Sequence, residues 1–321
     1  MGETVLQVEN LMKHFLVKSS KLFGKVRYLK AVNDVSFSIN KGETLGLIGE
    51  SGCGKSTVGK TIMGLNNITS GTVNFKGRDI SKLSNKEMKP LREEIQMIFQ
   101  DPYSSLDPKK TIGYQVREPM DIFNIGTDKE RQEKAKEILE TVGLSYYYMN
   151  RYPHEFSGGQ RQRINIARAL TLDPELLICD EPTSALDVSI QAQVLNLLKE
   201  LQRKLGLTYL FISHDLSVVK YLSDNIAIMY LGKIVEIGDV EEIYKNPLHP
   251  YTKALFSAIP THDPKIKKDR IELKGEIPSP LDLPSGCEFH NRCPYKKAIC
   301  EEKSPILKSI DSNHSVACYL Y

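Results

Sequence analysis

The stretch TLGLIGESGCGKST, residues 44–57, decides the fold. Its first part is mostly apolar and predicts a short buried strand over residues 44–50. The residues after it fit the P-loop pattern G-x-x-x-x-G-K-[ST], with Gly49, Gly54, Lys55 and Ser56 at the defining positions. A strand before this loop and an apolar helix after it are the context that the pattern requires.

The residue types of this loop suit phosphate binding. Glycines let the backbone curl so that successive N–H groups point at phosphate oxygens, and the next helix adds its positive N-terminal end. Lys55 would place a charge on the β- and γ-phosphates, and the Ser56 hydroxyl would bind Mg²⁺. Cys53 is interpreted as a tolerated small residue, not as a nucleophile. The residues expected to contact ATP here are Gly49, Glu50, Ser51, Gly52, Cys53, Gly54, Lys55, Ser56 and Thr57.

A second strand is predicted over residues 176–179, which are apolar and lead into Asp180 and Glu181. Nucleotides bind at the carboxyl edge of parallel strands, and such a strand would deliver both carboxylates there. Asp180 would bind Mg²⁺, and Glu181 would orient or deprotonate the attacking water. The pair means little alone, but together with the P-loop it predicts an ATP-hydrolysing enzyme.

Composition limits the other classes of function. The 321 residues include 43 basic and 40 acidic side chains, a formal net charge of +3, so no nucleic-acid partner is expected. No run of 18 apolar residues and no signal peptide is found, so we expect the chain to stay in the cytosol and to reach a membrane through another protein.

Between the two strands lies FSGGQRQR, residues 156–163, which resembles the LSGGQ signature of the ATP-binding cassette (ABC) family. A serine and two glycines before a helix, predicted over residues 164–170, would form a second anion-binding helix N-terminus. The resemblance implies that this loop contacts ATP held by a partner subunit in a head-to-tail dimer. The matching residues are Ser157, Gly158, Gly159 and Gln160.

Three further positions match motifs of that family. Gln100 follows a strand-like segment and matches the Q-loop, which implies contact with Mg²⁺ and water and sensing of the membrane subunit. Asp187 closes a match to the D-loop at the dimer interface. His214 matches the switch histidine that braces the γ-phosphate; a histidine at a strand end is often structural when it stands alone.

The aromatic residue that would stack on adenine has two candidates, Phe15 and Tyr28. Aligning VENLMKHF with the family selects Phe15. An insertion over residues 17–27 separates Phe15 from the next predicted strand, so Tyr28 is the alternative. Either ring could instead serve packing, since aromatic residues are common in cores.

The resemblance covers residues 1 to about 245 and implies an α/β fold, the P-loop NTPase of the ABC type, with a mixed or parallel sheet core and a helical subdomain at about 89–165 that docks on the membrane partner. Local signals predict two helices. Thr127 and Glu130 form a capping box for one that Gly143 ends, and the other spans residues 188–205 with Gly206 as its stop.

Two segments resemble the oligopeptide, dipeptide and nickel uptake branch: QDPYSSLDP (residues 100–108) and NPLHPYTKAL (residues 246–255). The second contains two proline-bounded turns that predict a cap docked on the core, within a C-terminal extension over residues 246–321. The resemblance implies an importer ATPase at the cytoplasmic face of a bacterial membrane. Its partners would be a second homologous ATPase subunit, two permease subunits and, indirectly, an extracellular solute-binding protein.

The uptake of oligopeptides or dipeptides is therefore the expected function. The alternatives are the same subunit type for nickel or another small solute, a soluble ABC ATPase acting on ribosomes or DNA, and an inactive regulatory cassette. The soluble types carry two cassettes or a long inserted coiled coil, which this sequence lacks, and the catalytic positions are all intact.

The extension ends in a small Cys-rich segment. Four thiolates could form a Zn²⁺ site or hold a [4Fe–4S] cluster, and free buried thiols are the third possibility. The uptake branch implies an iron–sulfur cluster. His290 and His314 could be ligands in a zinc site but are expected at the surface. The four cysteines are Cys287, Cys293, Cys300 and Cys318.

Overall fold

The computed structural model describes residues 2–17, 26–259 and 270–321. Part of the insertion considered between Phe15 and Tyr28 lies outside the described residues. The strands are β1 (Thr4–Val17), β2 (Arg27–Asn40), β3 (Thr44–Ile48), β4 (Ser70–Phe75), β5 (Arg78–Asp79), β6 (Ile95–Ile98), β7 (Leu176–Asp180), β8 (Thr208–Ser213), β9 (Asn225–Tyr230), β10 (Lys233–Asp239), β11 (Lys308–Asp311) and β12 (His314–Val316).

Helices follow most of the central strands. The α-helices of the described residues are α1 (Lys55–Ile62), α2 (Asn85–Glu94), α3 (Ile112–Phe123), α4 (Asp128–Thr141), α5 (Gly158–Leu170), α6 (Val188–Leu205), α7 (Leu216–Leu222), α8 (Val240–Lys245), α9 (Pro250–Ser257) and α10 (Ile299–Glu302). The predicted α/β class is confirmed.

The chain divides into two compact units. The first comprises residues 1–5, 40–43 and 83–212. In it, β6 pairs with β7 and β7 with β8, all parallel, and every residue of β7 is buried. Strands buried on both faces are expected to be apolar throughout, as Leu176–Asp180 is up to its final carboxylate.

Two helices of the first unit, α4 and α6, have an end where the sequence predicts it. The Thr127 hydroxyl accepts from the Glu130 N–H, and the Glu130 carboxylate accepts from the Thr127 N–H, so the predicted capping box of α4 is confirmed. Helix α6 ends at Gly206, whose φ of 67° is in the left-handed region that glycine adopts without a steric penalty.

The second unit comprises residues 6–39, 44–82 and 213–321. One of its sheets has the order β2–β1–β4–β5. In the other, β3 and β9 are parallel, whereas β9–β10, β10–β12 and β12–β11 are antiparallel. The tail strands β11 and β12 therefore extend the sheet that carries the P-loop strand.

The NPLHPYTKAL segment differs from its prediction. Residues 250–257 form helix α9, and they do not form a second turn, because Pro250 occupies the first helical turn, where its missing N–H costs nothing. Tyr251 is fully buried.

Candidate nucleotide-binding site

In the second unit, the P-loop lies between β3 and α1, as the sequence predicts. Gly54 caps α1 with a φ of 109°, a conformation that only glycine adopts readily. A Cβ atom there would lie 2.0 Å from the carbonyl oxygen of Ala31. The loop can therefore form only with glycine at this position.

The Lys55 ammonium is turned onto the loop itself. Its Nζ donates to the carbonyl oxygens of Gly49 at 2.7 Å and Glu50 at 3.1 Å, and the residue is 4% exposed. Burial raises the pKa of the neighbouring Cys53 thiol, so Cys53 stays protonated and is a poor nucleophile. The present partners of the Lys55 ammonium are neutral carbonyl oxygens. A phosphate oxygen is charged and would form a stronger hydrogen bond with it.

In the first unit, Gln100 and Glu181 meet. Glu181 follows β7 with a φ of 47°, and its N–H donates to the carbonyl of Ile212 at 3.0 Å. The Gln100 amide donates to Glu181 Oε2 at 2.9 Å. Asp180, one residue earlier, is 2% exposed. Two residues that are 81 positions apart in sequence are thus joined at the end of the buried strand, with the glutamate held in a strained backbone conformation.

The signature residues correct one expectation. Helix α5 begins at Gly158, not near residue 164, so the two glycines form its first turn instead of preceding it. The reason is a capping box: the Ser157 hydroxyl accepts from the Gln160 N–H, and the Gln160 side chain accepts from the Ser157 N–H at 3.1 Å. The helix N-terminus still carries the serine, as an anion site requires.

The remaining predicted residues lie at the ends of their elements. Asp187 is the N-cap residue of α6, and His214 is exposed directly after β8. Phe15 is half-buried in β1 with the Lys13 ammonium 4.7 Å from its ring centroid, whereas Tyr28 in β2 is 53% exposed.

Sequence reasoning missed a set of contacts on Glu50 inside the second unit. The Glu50 N–H donates to the Tyr251 hydroxyl at 3.1 Å, and its carboxylate pairs with Arg292 at 3.1 Å. Arg292 Nη1 also donates to the Tyr230 hydroxyl at 3.4 Å. The aromatic in NPLHPYTKAL and the arginine before Cys293 are visible in sequence, but no spacing rule connects either residue to the P-loop.

The four tail cysteines line one small cavity of about 20 Å³, together with His290. They are free thiols, and burial raises the pKa of Cys287 to about 12. Thiolates are suitable ligands for zinc or for an iron–sulfur cluster, so the donor set fits such a group. However, no set of three or more His, Cys, Asp or Glu side chains is positioned to hold a metal ion in the described ranges.

His290 and His314 are not surface residues, so that prediction is wrong. They are 8% and 2% exposed. The pairing of β12 with β10 places His314 inside, where its Nε2 lies 2.7 Å from Oε1 of the fully buried Glu236, and His290 Nδ1 lies 2.8 Å from the Cys287 carbonyl oxygen.

Glu236 is a polar centre within β10. Besides His314, its carboxylate accepts from the N–H groups of Leu248 at 2.7 Å and His249 at 2.9 Å. Burial lowers the pKa of His249 to about 4, so the ring is neutral and its Nδ1 accepts from the Tyr251 N–H. These bonds satisfy a carboxylate whose burial would otherwise be costly.

Among the residues that the structure describes, no helix is both long and apolar enough to span a membrane.

Comparison with known proteins agrees with these features. A model of the ABC transporter family matches residues 32–184, and one described as the C-terminal region of oligopeptide/dipeptide transporters matches residues 235–300. The oligopeptide transport ATP-binding protein AppF of Bacillus subtilis (strain 168) is 55% identical over 322 residues, which cover 99% of this chain and 98% of AppF. OppF of Escherichia coli (strain K12), another oligopeptide transport ATP-binding protein, is 49% identical over 98% of this chain and 96% of OppF.

Solved structures share the fold. The ATP-binding cassette MJ0796, in a dimeric post-hydrolysis state bound to ADP and Pi, is 30% identical with a TM-score of 0.64, and the match covers 73% of this chain and 98% of MJ0796. The structure of cbiO1 from Clostridium perfringens, part of the ABC transporter complex cbiONQ, has the same TM-score at 28% identity, with 76% of this chain and 92% of cbiO1 covered. With near full-length relatives of this identity, a P-loop between β3 and α1 and a capped signature helix, the chain belongs to the ABC transporter family as one of its ATPase subunits.

Proposed function

We propose that this ATPase powers the uptake of oligopeptides through a bacterial ABC importer. The observation that carries the proposal is the near full-length similarity to oligopeptide transport ATP-binding proteins, which includes the C-terminal region. Dipeptides, nickel and other small solutes are the alternative cargoes.

In the proposed reaction, ATP replaces the loop carbonyls as the partner of Lys55, and the P-loop N–H groups bind the phosphates. Ser56, Gln100 and Asp180 would hold Mg²⁺, which supplies charge neutralisation at the phosphates. Glu181 would orient or deprotonate the attacking water. Its hydrogen bond from Gln100 supports this role, since the amide holds the carboxylate in place at the end of β7.

We propose that Ser157, Gly158, Gly159 and Gln160 complete the ATP site of a second, homologous ATPase subunit, with Asp187 at the interface and His214 bracing the γ-phosphate. The capped N-terminus of α5 supports this, because its N–H groups and the Ser157 hydroxyl suit a phosphate. Phe15 or Tyr28 would stack on adenine.

A groove in the first unit is the proposed docking site for a membrane subunit. It has a volume of about 530 Å³ and is lined by Tyr114, Arg117, Lys136, Tyr146 and Tyr147, among others. Tyr147 is 76% exposed. Exposed tyrosines beside an arginine are the residue types enriched at protein interfaces. Tyr147→Glu should therefore weaken retention on permease-containing membranes while the purified chain keeps its ATPase activity.

We also propose that the Cys-rich tail, with Cys287, Cys293, Cys300 and Cys318, holds an iron–sulfur cluster. Their lining of a single cavity supports the proposal. Protein purified without oxygen should be brown, with about four irons per chain. One zinc per colourless chain would favour the zinc site, and no metal would favour free thiols.

Uptake in cells tests the main proposal. Cells lacking the chain should lose uptake of a labelled oligopeptide mixture, and the wild type but not Glu181→Gln should restore it. Loss of labelled nickel uptake with normal peptide uptake would instead favour nickel as the cargo. Normal uptake of both, with ATPase activity intact in the purified chain, would favour a soluble ATPase outside transport.

A further inference from the structure

Glu50, the second residue of the P-loop, is held from three directions in the second unit. Its N–H donates to the Tyr251 hydroxyl, its carbonyl oxygen accepts from Lys55, and its carboxylate lies against Arg292. Both Nη atoms of Arg292 reach this carboxylate, at 3.1–3.5 Å. The segment expected to bind phosphate is therefore fixed in part by residues more than 200 positions away.

Arg292 is itself well fixed. It closes the 3₁₀ turn His290–Arg292, and its side chain is only 9% exposed. Its Nη1 also donates to the Tyr230 hydroxyl, and Phe289 packs edge-on against the Tyr230 ring at 5.3 Å between centroids. A guanidinium already held by packing loses little conformational freedom when it binds a carboxylate.

Charge explains why this contact matters for nucleotide binding. The Glu50 side chain is 26% exposed, so its negative charge is only partly screened by water. Removing one partner of such a pair leaves an uncompensated charge in a poorly solvated place. Here that charge would be negative, on the loop expected to receive a polyanion.

We propose that Arg292 is a positioning residue of the ATP site: by neutralising and holding Glu50, it keeps the P-loop in the shape that binds phosphates. Arg292 would act through Glu50, without touching the nucleotide itself. The inference rests on the proposed binding of ATP by Lys55 and the P-loop.

The test measures equilibrium binding of a fluorescent ATP analogue and steady-state ATPase kinetics of the full chain. Arg292→Met should weaken ATP binding about tenfold, with KM rising in parallel and kcat changing less than about twofold. Arg292→Lys should recover part of the loss, because it restores the charge but not the two-nitrogen contact. Arg270→Met is the matched control: Arg270 is exposed, lines the same cavity as Arg292, and should behave as the wild type.

A double-mutant cycle separates positioning from simple destabilisation. Glu50→Gln removes the charge that Arg292 neutralises, so Arg292→Met should weaken ATP binding much less in the Glu50→Gln background than in the wild type. Equal losses in both backgrounds would overturn the proposal. Unchanged ATP binding by Arg292→Met would also overturn it. So would a melting temperature lowered enough to explain the loss of ATP binding by Arg292→Met in both backgrounds.

If the double-mutant cycle gives no support, Lys55→Ala shows whether the role of Arg292 or the proposed ATP binding by the P-loop is wrong. When Lys55→Ala abolishes binding but Arg292→Met does not weaken it, the ATP site stands and the role of Arg292 is refuted. When Lys55→Ala binds ATP normally, the proposed P-loop function fails, and the role of Arg292 fails with it.

Discussion

Substitutions at the two adjacent glycines of helix α5, Gly158 and Gly159, should distinguish effects on stability from effects on ATPase activity. A Cβ added at Gly158 would meet only Tyr103 Oη at 3.4 Å and Leu186 Cδ2 at 3.5 Å, which are ordinary contacts. A Cβ added at Gly159 would lie 2.3 Å from Cγ2 of Ile190. Because Ile190 is β-branched, that methyl group cannot rotate away freely.

The expected stability changes therefore have opposite signs. Gly158→Ala should stabilise the chain by up to about 1 kcal/mol, since alanine restricts the unfolded chain and fits the helical backbone. Gly159→Ala should destabilise it by about 1–3 kcal/mol through overpacking. In a domain of roughly 150–250 residues, each kcal/mol shifts the melting temperature by about 2–4 °C.

The ATPase activity of Gly158→Ala should fall although its stability rises. The Gly158 methyl group would occupy the face of α5 proposed to meet the phosphate of the partner subunit, so we expect Gly158→Ala to lose at least about tenfold in ATPase rate. Thermal melting and steady-state hydrolysis on the same preparations test this. A melting temperature lowered as much as in Gly159→Ala would refute the packing argument, and a normal ATPase rate would refute the phosphate-facing role.

The other predictions concern Glu181, Lys55 and the pair formed by His314 and Glu236. Glu181→Gln should keep ATP binding but lower turnover at least about a hundredfold, because the amide cannot accept a proton from water; near-normal hydrolysis would exclude Glu181 as the base. Lys55→Ala should lose ATP binding itself, measured by equilibrium titration, and unaltered affinity would contradict its phosphate role. The Glu236 hydrogen bond raises the pKa of His314, so the stability from this pair is full below the unfolded pKa and is lost as pH rises through the folded value. His314→Gln should therefore show a smaller fall in melting temperature between pH 6 and pH 9 than the wild type, and parallel curves would contradict this.

Much of the fold was predictable where the signal is local. The capping box of α4 and the glycine that ends α6 depend on residues within a few positions. The start of α4 and the end of α6 can therefore be predicted from the sequence. The P-loop is similarly local, since its glycines, lysine and serine act through their own backbone. The start of α5 was misplaced because apolar periodicity begins later than the capping box that starts the helix.

Long-range polar pairs were not predictable. His314 looks like a surface residue in a polar tail, and only the pairing of β12 with β10 brings it beside Glu236. Arg292 is likewise one basic residue among many until Tyr230 and Glu50 are placed around it. Which charges meet depends on tertiary structure, and a single sequence carries no periodicity that reveals it.

The contacts of Glu236 make the C-terminal segment important for the stability of the second unit. A stop codon after residue 300 would remove β12 and His314, and would leave the Glu236 carboxylate with only the N–H donors of Leu248 and His249. These two residues directly precede helix α9, whose Tyr251 hydroxyl accepts from the Glu50 N–H, so the loss would also disturb the P-loop. A shorter form of this chain would therefore need a change at Glu236 as well as the loss of the tail.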